Sequence, residues 1–166
     1  MGSGILPVAE HNNTILFLFG KEYDNKQWSD FGGHREKNET KLETAIREGY
    51  EETNGFLGTH NELKTIVKNS KIMNMETENG YNTYMFKIPY DPNLPLYFNN
   101  HHKFVATNFP EKLNNDGFFE KSTIKWFSYD DIVKEKSKFR PFYKEIISII
   151  QDNHTLIKRL ILKAKY

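Results

Sequence analysis

Apolar residues in this chain fall in short runs broken by polar turns. Residues 5–9 form one such run, His11-Asn12-Asn13 is turn material, and residues 14–19 (TILFLF) form another of strand length, closed by Gly20. Two runs around a polar turn predict a β-hairpin. Residues 21–27 are polar and read as a loop, and residues 28–33 (WSDFGG) begin extended and end in a glycine pair. Residues 39–54 change period: Leu42, Ala45, Ile46 and Gly49 recur at helical spacing, with Asn38 or Thr40 as cap and Asn54-Gly55 as stop.

Residues 63–75 and 81–88 read as strands around a turn at Glu78-Asn79-Gly80. Residues 89–95 hold three prolines and read as a loop. Residues 97–118 are aromatic, rich in Asn and carry no clear period. A strand at 124–127, a short helix at 129–134 and a terminal helix from Pro141 to about Leu162 complete the reading. Strands, a helix, more strands and a last helix predict one domain with helices packed on a mixed sheet.

Composition narrows the class. The chain has 166 residues, 37% hydrophobic and 14% aromatic, which supports a sizeable core and excludes wholesale disorder. The 23 Lys+Arg nearly cancel the 22 Asp+Glu, so overall charge names no partner. With no Cys, disulfides and thiolate metal sites are excluded, which fits the reducing cytoplasm as the expected location. No apolar run is long enough to span a membrane, and the first residues lack the pattern of a secretion or myristoylation signal.

Chemistry concentrates on the predicted helix. Glu48, Glu51 and Glu52 lie on one face, a turn apart. Like charges so placed destabilise a bare helix and become favourable when a divalent cation neutralises them, because carboxylate oxygens are the hard ligands magnesium prefers. Arg47 stands four residues before Glu51, at ion-pair spacing, and Gly32-Gly33 lets the backbone approach a ligand closely. A glutamate run alone is usually a solvated face. Here it belongs to a longer pattern: Gly33, five residues, Glu39, seven residues, Arg47-Glu48, two residues, Glu51-Glu52.

That pattern resembles the box of the Nudix (MutT-like) hydrolases, G-x5-E-x7-R-E-U-x-E-E-x-G-U, where U is a bulky apolar residue. Gly33, Glu39, Arg47, Glu48, Glu51 and Glu52 match in register across residues 33–55. Gly49 departs from the first apolar position, and Asn54 stands where the last glycine belongs, with Gly55 and Phe56 following. Before the box the chain reads Asp30-Phe31-Gly32-Gly33, where many members carry a proline ahead of the glycines.

The resemblance implies one Nudix domain over residues 1–166, an α/β/α sandwich with a mixed β-sheet between helices. It implies hydrolysis of a nucleoside diphosphate linked to another moiety. The metal ligands would be Glu48, Glu51, Glu52 and the Gly33 carbonyl, holding Mg2+ or alternatively Mn2+. Arg47 would orient a ligand glutamate, and Glu39 would brace the loop against the helix. One glutamate would serve as general base; Glu120, ahead of the 124–127 strand, is the candidate outside the box, with Asp116 behind it.

Trp28, Tyr84, Phe17 and Trp126 are available to stack a base, with Tyr84 and Phe86 on one strand face and Met85 on the other. His34, in the box loop, could touch a phosphate, whereas His101-His102, if in a strand, would point to opposite faces. The proline and tyrosine that mark ADP-ribose and dinucleoside polyphosphate hydrolases past the box are missing from residues 66–72, and the NADH signature is missing too. An mRNA-decapping activity on capped RNA is a rival, resting on the basic stretch Lys158, Arg159, Lys163, Lys165. The bland reading of that stretch is the wet side of an amphipathic helix, with Leu156, Ile157, Leu160 and Ile161 inward. A non-catalytic nucleotide-binding or regulatory module is the rival of another class, and members of the family are often homodimers.

Overall fold

The structure is a computed structural model and describes residues 2–113 and 117–164. Asp116 and Lys165 lie outside the described residues. The described residues form seven strands and six helices. In chain order these are β1 (Gly2–His11), β2 (Thr14–Glu22), β3 (Trp28–Ser29), β4 (Phe31–His34), α1 (Lys41–Glu52), α2 (His60–Asn69), β5 (Lys71–Glu76), β6 (Asn82–Lys87), α3 (Leu94–Asn108), β7 (Lys121–Ser128), α4 (Tyr129–Lys134), α5 (Lys144–Asp152) and α6 (His154–Lys163).

The expected hairpin is β1–β2, with Asn12 and Asn13 both at positive φ in its two-residue turn. β1 is the hub of the sheet. It pairs antiparallel with β2 through residues 8–11 and with β4 through residues 2–5, and parallel with β6 through residues 3–8. β7 and β3 pair with β2, and β5 pairs with β6, all antiparallel, so the sheet is mixed.

Both faces of the sheet are covered, which explains why TILFLF is apolar without alternation. Leu6, Phe17, Phe19 and Met85 point into one cluster with Ile146, Ile147, Ile150, Ile157 and Ile161 of α5 and α6. Their chain neighbours Ile5, Leu18 and Phe86 point into the other, with Ala45 and Ile46 of α1, Leu63 and Val67 of α2 and Phe98 of α3. The result is the expected α/β/α sandwich. Among the described residues, no helix is long and apolar enough to cross a membrane.

Three expectations change. Residues 63–75 are not one strand: the chain is helical to Asn69 and becomes β5 at Lys71. A capping box of Thr59 and Glu62 starts α2, and Leu63 and Val67 are buried one turn apart. The aperiodic stretch as far as Asn108 and the end of the proline loop form α3, with Pro95 near its N-terminus and Phe98, His102 and Val105 buried. His101 and His102 are therefore on a helix. The terminal helix is broken at Asn153 into α5 and α6 and is preceded by a 3-10 turn at Pro141–Tyr143.

α1 starts where its cap predicts. Thr40 and Glu43 form a reciprocal capping box, and the helix closes through Thr53 onto Asn54 and Gly55, both at positive φ. Gly49 is the contact point with the sheet: a Cβ there would fall 2.3 Å from Cδ1 of Ile5. The missing side chain lets α1 lie close on β1.

Candidate active site

Arg47 ties the box together. Its Nε and Nη2 donate to the two oxygens of Glu39 at 2.8 and 3.2 Å, a forked pair. Nη1 donates to Glu48 at 2.9 Å and to Glu51 at 3.0 Å, and Nη2 also donates to the His34 carbonyl at 2.9 Å. One guanidinium thus fixes the loop and two glutamates of the helix. Glu39, outside α1, also accepts from Thr44 Oγ1 and from the Glu36 backbone N–H. The Arg47 bonds, working against partial burial, hold its carboxyl down at about 2.

Glu52, one turn after Glu48, is buried. Gly32 N–H donates to its Oε2 at 2.7 Å, and the ammonium of Lys121 lies 3.3 Å from its Oε1. Lys121 is fully buried, and its ammonium also donates to Glu22 and, at 2.9 Å, to Ser29 Oγ. Arg140 Nη1 donates to the same Glu22 oxygen at 2.9 Å. Burial pulls the Lys121 pKa down, but the charges of Glu52 and Glu22 outweigh it and keep the ammonium protonated.

Carboxylate oxygens of Glu22, Glu52 and Glu120 all lie within 4.8 Å of one another, with Glu120 at the exposed edge. Burial raises the carboxyls of Glu48, Glu51, Glu52 and Glu120 against the pull of Arg47 or Lys121, and neighbouring carboxylates add to the rise. Glu22 is the exception. Lys121, Arg140 and Ser29 overcome its burial and lower it.

The donor set fits a hard divalent cation. It consists of carboxylates that repel one another, and Gly33 is packed so tightly on Glu48 that a Cβ would fall 2.5 Å from its Oε2. Glu22, Glu52 and Glu120 are the acids that converge within reach of one ion, whereas Glu48 and Glu51, expected as ligands beside Glu52, are bonded to Arg47.

The sequence left Glu22, Lys121 and Arg140 unread. β2 continues into what reads as a polar loop, and this carries Glu22 into the cluster. Lys121 and Arg140 come from distant sequence and meet Glu22 only through the β2–β7 pairing and the turn before α5.

A cavity of about 200 Å³ opens beside the box loop, lined by Gly33, His34, Tyr81, Arg140 and Phe142. The Arg140 guanidinium sits 4.8 Å above the Phe142 ring, and Tyr81 packs edge-on to Phe142 at 5.0 Å. Of the residues expected at a substrate, His34 lines this cavity. Trp28, expected as a stacking wall, is instead buried in the core, edge-on to Phe127. Phe17 is core as well, and Tyr84 packs against the α1–α3 side of the sheet. Trp126 is half-buried and donates to the Asp91 carbonyl. On α6, Ile157 and Ile161 are buried while Arg159 and Lys163 are exposed, as in an ordinary amphipathic helix; Leu156, expected inward, is exposed.

The model of the NUDIX domain matches residues 2–148. The chain belongs to the Nudix family and is a pyrophosphohydrolase acting on phosphate anhydrides. Similar solved structures include an Ap4A hydrolase binary complex from C. elegans, at 17% identity and a TM-score of 0.58, covering 95% of this chain and 98% of that one. A Nudix hydrolase from M. smegmatis matches at 12% identity and a TM-score of 0.52, covering 95% and 87%. A bifunctional NMN adenylyltransferase/ADP-ribose pyrophosphatase from Francisella tularensis matches at 18% identity and a TM-score of 0.56, over 91% of this chain and 41% of that one. At these identities the likeness is one of fold. No curated protein gives a match.

Proposed function

We propose that the chain hydrolyses the diphosphate linkage of a nucleoside diphosphate joined to another moiety, using a divalent cation, magnesium or manganese, held by Glu48, Glu51 and Glu52. The observation that carries this reading is the division of labour around the three glutamates. Arg47 fixes Glu48 and Glu51, while Gly32 N–H and Lys121 fix Glu52, so the carboxylates are oriented before any ligand arrives. When bound, the cation supplies charge neutralisation for the diphosphate and makes water more acidic. Glu120, exposed at the edge of the cluster with its pKa raised, takes the proton from the attacking water. The nucleoside part enters the cavity walled by Tyr81 and Phe142, with His34 and Arg140 on the phosphate side.

The test is turnover of a panel with magnesium: Ap4A, ADP-ribose, NADH, nucleoside triphosphates and capped RNA, with Glu51→Gln and Glu52→Gln alongside. The reading expects one class to be cleaved at the anhydride, with both variants reduced at least about 100-fold. Wild-type turnover in both variants would remove the cluster from the chemistry.

A further inference from the structure

Asn54 occupies the place of the box's last glycine and has φ 50, a conformation glycine adopts at no steric cost. As a helix cap it is the worse choice, because its buried Nδ2 has no partner among the described residues. Its other side-chain atom explains its presence. Oδ1 accepts the backbone N–H of Phe119 at 3.0 Å, across 65 residues of sequence.

Phe119 itself has φ 66, an outlier for a bulky aromatic that costs about 1–2 kcal/mol unless its surroundings impose it. They do so from both sides. Asn54 holds its N–H, the Phe119 carbonyl lies 3.3 Å from His102 Nε2, and its ring packs on those of His101 and His102. The next residue is Glu120, whose carbonyl accepts from Tyr23 N–H at 2.7 Å before β7 begins to pair with β2.

We propose that Asn54 is a positioning residue for the hydrolysis: its side-chain carbonyl clamps Phe119 in the left-handed turn and thereby aims the Glu120 carboxylate at the Glu22–Glu52 cluster. The end of the box helix and the segment carrying the exposed acid then move as one piece. This rests on the reading of Glu120 as the proton acceptor.

The test compares wild type with Asn54→Gly, Asn54→Asp and Glu120→Gln. Hydrogen exchange at the Phe119 amide is read directly, and kcat and KM are measured with magnesium on whichever of Ap4A or ADP-ribose the wild type turns over. Glycine keeps the cap and removes the clamp, so Asn54→Gly should speed Phe119 exchange at least about 10-fold. It should lower kcat roughly 10- to 100-fold, with KM within about 2-fold. Aspartate keeps an acceptor oxygen and should restore most of both. Wild-type exchange, or wild-type kcat, in Asn54→Gly overturns the clamp. Loss of kcat in Glu120→Gln without loss in Asn54→Gly condemns the clamp alone. Wild-type kcat in Glu120→Gln overturns the role of Glu120, and with it any catalytic role for Asn54.

Discussion

Lys121 carries its charge where no water reaches it, so its partners decide whether the interior tolerates it. Glu22, Glu52 and Ser29 take up its donors. Removing the ammonium leaves two buried carboxylates facing each other. Lys121→Met should therefore cost about 3–5 kcal/mol in urea unfolding; a loss under about 1 kcal/mol would mean that the carboxylates do not need the cation. Asp30 poses the opposite case. It is fully buried, and burial pushes its carboxyl up to about 7 although Thr83 and Tyr81 donate to it at 2.7 and 2.8 Å. A raised folded pKa gives stability that is complete below the unfolded value near 3.8 and is lost as pH rises through about 7. Wild type should accordingly weaken relative to Asp30→Asn between pH 4 and 8, by at most about 4 kcal/mol at 1.4 kcal/mol per pH unit. A Tm difference flat with pH would show that Asp30 does not titrate in this range.

The elements meet through particular contacts, and the closest is α1 on β1. Gly49 stands where the box pattern calls for a bulky apolar residue, and Ile5 fills that space from the sheet. Gly49→Leu should cost about 2–3 kcal/mol by overpacking, despite the better helix propensity of leucine. Ile5→Ala, which empties the same space, should recover part of that loss in a double-mutant cycle; additive losses would show that the two residues do not share the volume.

This contact also marks how far the sequence could be read. α1, its cap and its six box residues are local, set by spacing along one helix and one loop, and they stand in register in the chain. α4 was legible for the same reason. α2 reads as strand because the β-branched Thr65, Ile66 and Val67 stand only four polar residues, Lys68 to Lys71, ahead of the apolar Ile72-Met73 of β5. Its signal was the Thr59–Glu62 capping box together with Leu63, Ile66 and Val67 at helical spacing. Glu22, Lys121 and Arg140 were not legible at all, since their roles come from pairing across about 100 residues.

At the scale of the molecule, the sheet gathers acids from three separate stretches: β2, α1 and the segment before β7. No stretch has a site alone, so folding assembles the cluster and a cation that binds it must stabilise the fold in return. Magnesium should raise the wild-type Tm in a concentration-dependent way, and Glu52→Gln should blunt that rise; an equal rise in both would place the stabilising ion elsewhere.

The direct test of the central claim is manganese binding to the purified chain, followed by electron paramagnetic resonance. The account predicts at least one bound ion in wild type, with affinity falling about 10-fold or more in both Glu51→Gln and Glu52→Gln. Equal binding by all three proteins would contradict it.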